Sequence, residues 1–132
     1  MARFGSSLAA PNLTRYKLLV VEDDGESMLM LCALLKETGA EILKAESWEE
    51  ALKVLGDHPD TNVALVDLQI AGLEVTRSIK AQRADLPVIA LTAFTLAAER
   101  EKAKEARCDY LLTKPVNREM LYKVLENYLQ SG

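Results

Sequence analysis

Polar residues that can bind metals and phosphate stand where four apolar segments of this chain end. They are Glu22 and Asp23 after the first segment, then Asp67, Thr92 and Lys114 after the others. If the segments are parallel strands of one sheet, these side chains meet at its carboxyl edge, where open α/β folds form their sites. Carboxylates there can hold a divalent cation, and one of them can attack a phosphoryl group whose oxygens contact the threonine and the lysine.

The composition indicates one globular domain of ordinary size. The chain has 132 residues, 49% of them hydrophobic, and a formal net charge of -4. The acidic balance and the lack of a Lys/Arg cluster argue against a nucleic-acid-binding surface, which needs a basic patch. No apolar stretch reaches the roughly 20 residues that cross a bilayer, and no secretory signal pattern is present. We therefore expect a cytoplasmic protein that binds neither nucleic acid nor membrane.

The chain divides into a leader and one domain. Residues 1–16 are rich in Ser, Ala, Pro and Asn without periodicity, and we predict a loose, flexible leader there. The domain is predicted to cover residues 17–130. Its two cysteines, Cys32 and Cys108, have neither disulfide nor metal-ligand spacing.

Strand and helix patterns alternate along the domain. Short apolar runs predict strands at 17–21, 41–45, 63–67, 88–91 and 110–113. Helices are predicted to end at Gly39, to begin after Ser47, to cover 73–84 and 96–107, and to begin after Asn117. Repeated β-α units specify a parallel sheet with helices on both faces. We therefore predict the α/β class, with a flavodoxin-like doubly wound sheet of five parallel strands in the order 2-1-3-4-5 and five helices.

Four short motifs stand in order at intervals that resemble one family. They are Val20-Val21-Glu22-Asp23-Asp24, Ala64-Leu65-Val66-Asp67, Ala90-Leu91-Thr92-Ala93 and Leu112-Thr113-Lys114-Pro115. Each is weak alone, but together they are specific. From about Lys17 to Gln130 the chain resembles the CheY-like receiver domain of two-component response regulators.

The resemblance implies a function in phosphorelay signalling. Asp67 would accept a phosphoryl group from a histidine kinase or a histidine phosphotransfer protein, and Mg2+ would be held by Glu22, Asp23, Asp67 and the backbone carbonyl of Gln69. The chemistry agrees with these roles, because a carboxylate attacks an anionic phosphoryl group poorly unless a metal offsets the charge.

The resemblance also assigns the residues that bind the phosphoryl group. Thr92 and Lys114 would contact its oxygens, and the bond from Lys114 to Pro115 would be cis, an isomer that proline makes accessible. Lys114 can pair with Asp67 before phosphorylation and with the phosphate afterwards. The small side chain of Ala93 would leave the path to the phosphoryl group open.

Two features depart from the family pattern: the loop after Asp67 and the residue three positions before Lys114. The loop after Asp67 lacks the usual proline and is shorter, which affects the segment that carries the Gln69 carbonyl. The family commonly has an aromatic residue where this chain has Leu111, and Tyr110 lies one residue earlier, on the opposite face of a regular strand. We predict that Leu111 replaces the aromatic. A strand bulge that restores Tyr110 as the switch aromatic is the alternative.

We expect a signalling module that acts through proteins and not an enzyme. By resemblance the output surface runs from about Leu96 to Leu129, and the domain is a monomer or a phosphorylation-dependent dimer. It would be a stand-alone regulator or a piece of a hybrid kinase. A pseudo-receiver that binds partners without phosphorylation is the alternative, with the short loop as its mark. A metal-dependent phosphohydrolase is less favoured, because its general acid would have to stand at Gln69.

Overall fold

A computed structural model of the chain describes residues 9–68, 74–93, 97–105 and 107–130. The strands β1 to β5 are Lys17–Val21, Glu41–Ala45, Val63–Asp67, Val88–Thr92 and Tyr110–Thr113. All neighbouring strands pair in parallel, in the order β2-β1-β3-β4-β5. The predicted strand order 2-1-3-4-5 is confirmed, and β4 includes Thr92 as its last residue.

The helices α1 to α5 are Gly25–Lys36, Trp48–Asp57, Glu74–Gln82, Ala97–Glu105 and Arg118–Leu129. The side chains of Asp24, Ser47 and Asn117 cap α1, α2 and α5 by accepting a backbone N–H from the first turn. Helix α3 ends at Gln82, two residues before its predicted end, and the predicted first residues of α3 and α4, 73 and 96, lie outside the described residues. Among the helices that the structure describes, none is long and apolar enough to cross a membrane.

Apolar residues cover both faces of the sheet. Successive strand residues point to opposite faces, so each central strand contributes to two clusters. One cluster joins the sheet to α1 and α5, and the other joins it to α2 and α3. Every residue of β3 and β4 is buried, as expected for central strands of a parallel sheet. The polar residues that end these strands therefore stand on a rigid support.

The segment before β1 differs from the prediction. Leu13 is fully buried, and its N–H donates to the Thr38 carbonyl at 2.8 Å. The hydroxyl of Tyr16 donates to the carbonyl of Leu129 at 2.9 Å. The prediction of a loose leader up to residue 16 is therefore wrong for residues 13–16, because burial of an apolar side chain and these hydrogen bonds hold the segment against α1 and α5.

The turn after α1 also depends on this segment. The helix ends at Lys36, before the Gly39 that was predicted to end it. Gly39 has a φ of 80°, and a Cβ atom added there would lie 2.5 Å from Thr14 Cγ2. Only glycine combines this left-handed conformation with the close approach of the N-terminal segment.

Candidate functional site

Backbone pairing places four of the predicted site residues side by side at the carboxyl edge of the sheet. Glu22 and Asp67 occupy corresponding positions at the ends of β1 and β3. In the β3–β4 ladder, Thr92 lies one position beyond the partner of Asp67. The N–H of Lys114 donates to the Thr92 carbonyl at 2.7 Å, directly after the last β4–β5 pair. The sheet register thus sets the relative positions of all four residues.

The side chains of these residues form a partly buried ion cluster. Lys114 Nζ donates to Asp67 Oδ2 at 2.7 Å and to Glu22 Oε1 at 3.2 Å. Glu22 Oε2 accepts the backbone N–H of Asp24 at 3.1 Å. Glu22 and Asp67 are 1% and 2% exposed, whereas the side chain of Lys114 is 20% exposed. A single ammonium group therefore compensates two carboxylates that have little contact with water.

The pKa values reflect this arrangement. Burial raises the pKa of the Glu22 carboxyl, and the neighbouring Asp67 raises it further, while Lys114 acts in the opposite direction. Burial alone would lower the pKa of Lys114, but its hydrogen bonds and charge interactions with Asp67 and Glu22 outweigh that effect and raise it. Lys114 is consequently cationic at neutral pH.

The predicted metal ligands are only partly brought together. Asp23 is exposed, unlike the buried Glu22, and no group of three His, Cys, Asp or Glu side chains in the described ranges could hold a metal ion. Of the three predicted carboxylates, Glu22 and Asp67 both accept a hydrogen bond from the ammonium of Lys114. Gln69 lies outside the described residues. The remaining donors still fit Mg2+, which is usually bound through one or two carboxylates and several waters.

The residues predicted to contact a phosphoryl group lie around Asp67. Thr92 is 2% exposed at the end of β4, and the adjacent Ala93 is exposed. The peptide bond between Lys114 and Pro115 is cis. A carboxylate, an ammonium and a hydroxyl at one sheet edge supply a nucleophile and two donors for phosphoryl oxygens.

Tyr110 lies out of phase with Thr92. Tyr110 pairs with Ile89, and the pairing continues without interruption to the end of β5. Leu111 pairs with Ala90 and so lies on the face that Thr92 shares. The paired residues contain no bulge of the kind that would move Tyr110 to that face. The aromatic side chain is 38% exposed.

A cavity that was not predicted from the sequence lies beside the ion cluster. It has a volume of about 340 Å³ and is lined by Ser27, Met30, Leu31, Lys114, Pro115 and Val116. The outer face of α1 next to it carries Leu29 and Met30, which are 72% and 57% exposed. Apolar residues on the solvent face of a helix were the signal in the sequence, since such positions are normally polar.

Comparisons with known proteins agree with this architecture. The response regulator receiver domain family matches residues 18–126. The polar-differentiation response regulator DivK of Brucella ovis is 30% identical over 118 residues, which cover 85% of this chain and 94% of DivK. The chemotaxis protein CheY4 of Vibrio cholerae is 26% identical with a TM-score of 0.80, covering 86% of this chain and 98% of CheY4.

Another protein with this fold was solved together with a partner protein. The receiver domain of the Saccharomyces cerevisiae response regulator Ssk1, crystallised with the histidine phosphotransfer protein Ypd1, has a TM-score of 0.77 at 23% identity. The match covers 90% of each chain and shows a common fold. Taken with the family match over residues 18–126, these similarities confirm the predicted family: the chain belongs to the receiver domains of two-component response regulators.

Proposed function

We propose that this receiver domain takes a phosphoryl group onto Asp67 from a histidine kinase or a histidine phosphotransfer protein. The observation that carries the proposal is the position of Asp67, which ends a fully buried central strand with its Oδ2 atom 2.7 Å from Lys114 Nζ. A carboxylate held this way has a fixed orientation and a cation ready for the incoming charge. Receiver domains as a family are signalling modules, and this site gives the chain the chemistry for that task.

In the proposed reaction an oxygen of the Asp67 carboxylate attacks the phosphorus atom of the donor. A new O–P bond forms as the bond from phosphorus to the donor nitrogen breaks, and the nitrogen keeps the electron pair and takes up a proton. Lys114 moves from the carboxylate to a phosphoryl oxygen, and the Thr92 hydroxyl donates to another. Mg2+, held by Asp67, Asp23 and Glu22 with the Gln69 carbonyl, would neutralise charge on the phosphoryl group.

Intact-mass analysis tests this function directly. The chain is incubated with Mg2+ and a small phosphodonor such as acetyl phosphate, and we expect the mass of one phosphoryl group to be added. The same incubation with excess EDTA is the control and should give little or no product. A chain that never gains mass with Mg2+ would instead be a pseudo-receiver, the alternative that the short loop after Asp67 favours.

Mg2+ binding is predicted to depend on Asp23 more than on Asp24. Asp24 caps α1 by accepting the Ser27 N–H at 2.9 Å, and asparagine caps a helix equally well. Asp23→Asn should therefore weaken Mg2+ binding about tenfold or more, because it removes a carboxylate ligand, while Asp24→Asn should change it little. Isothermal titration of both variants with MgCl2 measures the effect, and equal weakening would show that the metal ligands are misassigned.

The phosphorylated state is predicted to be transmitted through Thr92 and not through Tyr110. Thr92 ends the strand beside Asp67, whereas Tyr110 lies out of phase with it. Thr92→Ala should leave phosphate incorporation largely intact but remove the phosphorylation-dependent change in hydrogen exchange across α4. Tyr110→Ala should keep that change. The opposite pattern would assign the coupling to the tyrosine.

Two surfaces are proposed for protein partners. The apolar patch of Leu29 and Met30 adjoins the cavity next to Lys114, so a phosphodonor protein that docks there can reach Asp67. The output surface is proposed to run from about residue 96 to 129. Its described part includes exposed Tyr110 and Met120 and a cavity of about 480 Å³ between α4 and β5. We also propose that the domain is either a monomer or a dimer that forms on phosphorylation.

A further inference from the structure

Another ion pair, between Lys80 and Asp109, lies at the amino edge of the sheet, opposite the carboxyl edge that carries Asp67. The proposed reaction does not use it. Lys80 is on α3 and only 9% exposed. Its Nζ donates to Asp109 Oδ2 at 2.7 Å and to the Leu86 carbonyl at 2.7 Å. These two acceptors engage two of the three N–H donors of the ammonium group. Losing its carboxylate partner would leave an uncompensated charge in the protein.

Asp109 links this pair to the start of β5. Its N–H donates to the Val88 carbonyl at 2.8 Å, and its Oδ2 accepts the Val88 N–H at 2.7 Å. Its carbonyl accepts the Tyr128 hydroxyl of α5 at 2.8 Å. The two bonds to Val88 use both the backbone and the side chain of Asp109. A strand shifted by one residue could not make both, so they select one register.

Strand β5 depends on contacts that fix its register because it is an edge strand. It pairs with β4 alone, and its last link to β4 is the bond from Lys114 N–H to the Thr92 carbonyl. Lys114 lies five positions after Asp109, a span of roughly 16 Å in an extended strand. An extended strand transmits its register along its length, and a slip of one residue turns every side chain to the other face.

We propose that Lys80 and Asp109 are positioning residues for the reaction at Asp67, because they fix the register of β5 and hence the location of the Lys114 ammonium. This inference rests on the proposed function for its chemical consequence. The positional part stands on contacts alone and can be measured without phosphorylation.

The experiment compares Asp109→Asn with Asp85→Asn. Asp85 lies near the same edge, but it is 76% exposed and its carboxylate is bound by Arg83, with Oδ2 at 3.1 Å from Arg83 Nη2. We expect Asp109→Asn to shift the NMR signal of the Lys114 ε-ammonium towards that of exposed lysines and to speed hydrogen exchange of the Lys114 amide. Phosphate incorporation from acetyl phosphate should become about tenfold slower, because misplaced groups lose their advantage of orientation. Asp85→Asn should resemble the unmodified chain in all three measurements.

A second control separates positioning from a general loss of stability. Leu55→Val in α2 removes a buried methylene group from the cluster that joins the sheet to α2 and α3. It should leave the Lys114 signal in place. An unchanged Lys114 signal in Asp109→Asn, or the same shift in Leu55→Val, would overturn the inference. If Asp109→Asn does not fold, Lys80→Met decides by the same criteria, with a smaller shift expected because the charge it leaves unpaired, on Asp109, is 33% exposed. If the unmodified chain takes up no phosphate, the proposed function fails, while the NMR comparison still tests the positioning.

Discussion

Asp67→Asn is expected to abolish phosphate incorporation. The substitution keeps the size and most of the packing of a residue that is 2% exposed, but an amide oxygen is a much weaker nucleophile than a carboxylate. The other buried carboxylate next to Lys114 is that of Glu22 at the end of β1, and its Oε2 is engaged by the Asp24 N–H. Intact-mass analysis after incubation with Mg2+ and acetyl phosphate should show only the unmodified mass.

The matched control is Asp60→Asn. Asp60 is also paired with a lysine, since Lys17 Nζ lies 2.9 Å from its Oδ2 atom, but it is 64% exposed and near the opposite edge of the sheet. This variant should gain the phosphoryl group at the rate of the unmodified chain. A mass gain that persists in Asp67→Asn would place the acceptor elsewhere and refute the assignment.

Lys114→Met is expected to lower the free energy of unfolding by about 3–5 kcal/mol at neutral pH. The substitution removes the only ammonium that the described residues place against both buried carboxylates, Glu22 and Asp67. Equilibrium unfolding in urea measures the change. Burial raises the pKa of Glu22, and a raised pKa in the folded state makes stability fall as pH rises through it. A protonated Glu22 carries no charge for Lys114 to compensate. The stability lost in Lys114→Met should therefore be smaller in mildly acidic buffer than in alkaline buffer.

Two further variants test the cause of that loss. Lys17→Met removes a lysine from an exposed ion pair, and it should cost no more than about 1 kcal/mol. The double variant Lys114→Met, Asp67→Asn should regain much of the stability, because one of the two uncompensated charges is gone. If Lys114→Met proves no more costly than Lys17→Met, the buried carboxylates are not held by this lysine.

The sequence alone determined the strands and the places where they end. Continuous apolar runs predicted β1, β3 and β4 with the same or nearly the same bounds, because a strand buried on both faces requires such runs. The partly exposed β2 and β5 also have the predicted bounds. The alternation of strands and helices predicted a parallel sheet, and the flavodoxin-like strand order predicted for it is the observed one. Since parallel strands share one carboxyl edge, the common location of Glu22, Asp67, Thr92 and Lys114 followed from local patterns. The helix caps Ser47 and Asn117 were equally local.

Tertiary structure decided what the side chains contact. The burial of Leu13 was missed because it depends on a surface formed by α1 and α5, which the composition of a 16-residue segment does not reveal. The neighbouring residues Glu22 and Asp23 also differ, because Glu22 is buried against Lys114 from across the sheet while Asp23 is exposed.

The tertiary structure also decided the phase of Tyr110 and the pairing of Lys80 with Asp109. The sequence left open whether a bulge restores Tyr110 to the face of Thr92, and only the uninterrupted β4–β5 pairing answers it. The pair of Lys80 and Asp109 joins residues 29 positions apart. Sequence patterns identify which face of its own element a residue occupies, but contacts between distant elements depend on how those elements pack. That is why the edge of the sheet could be predicted from the sequence and the ion pairs that organise it could not.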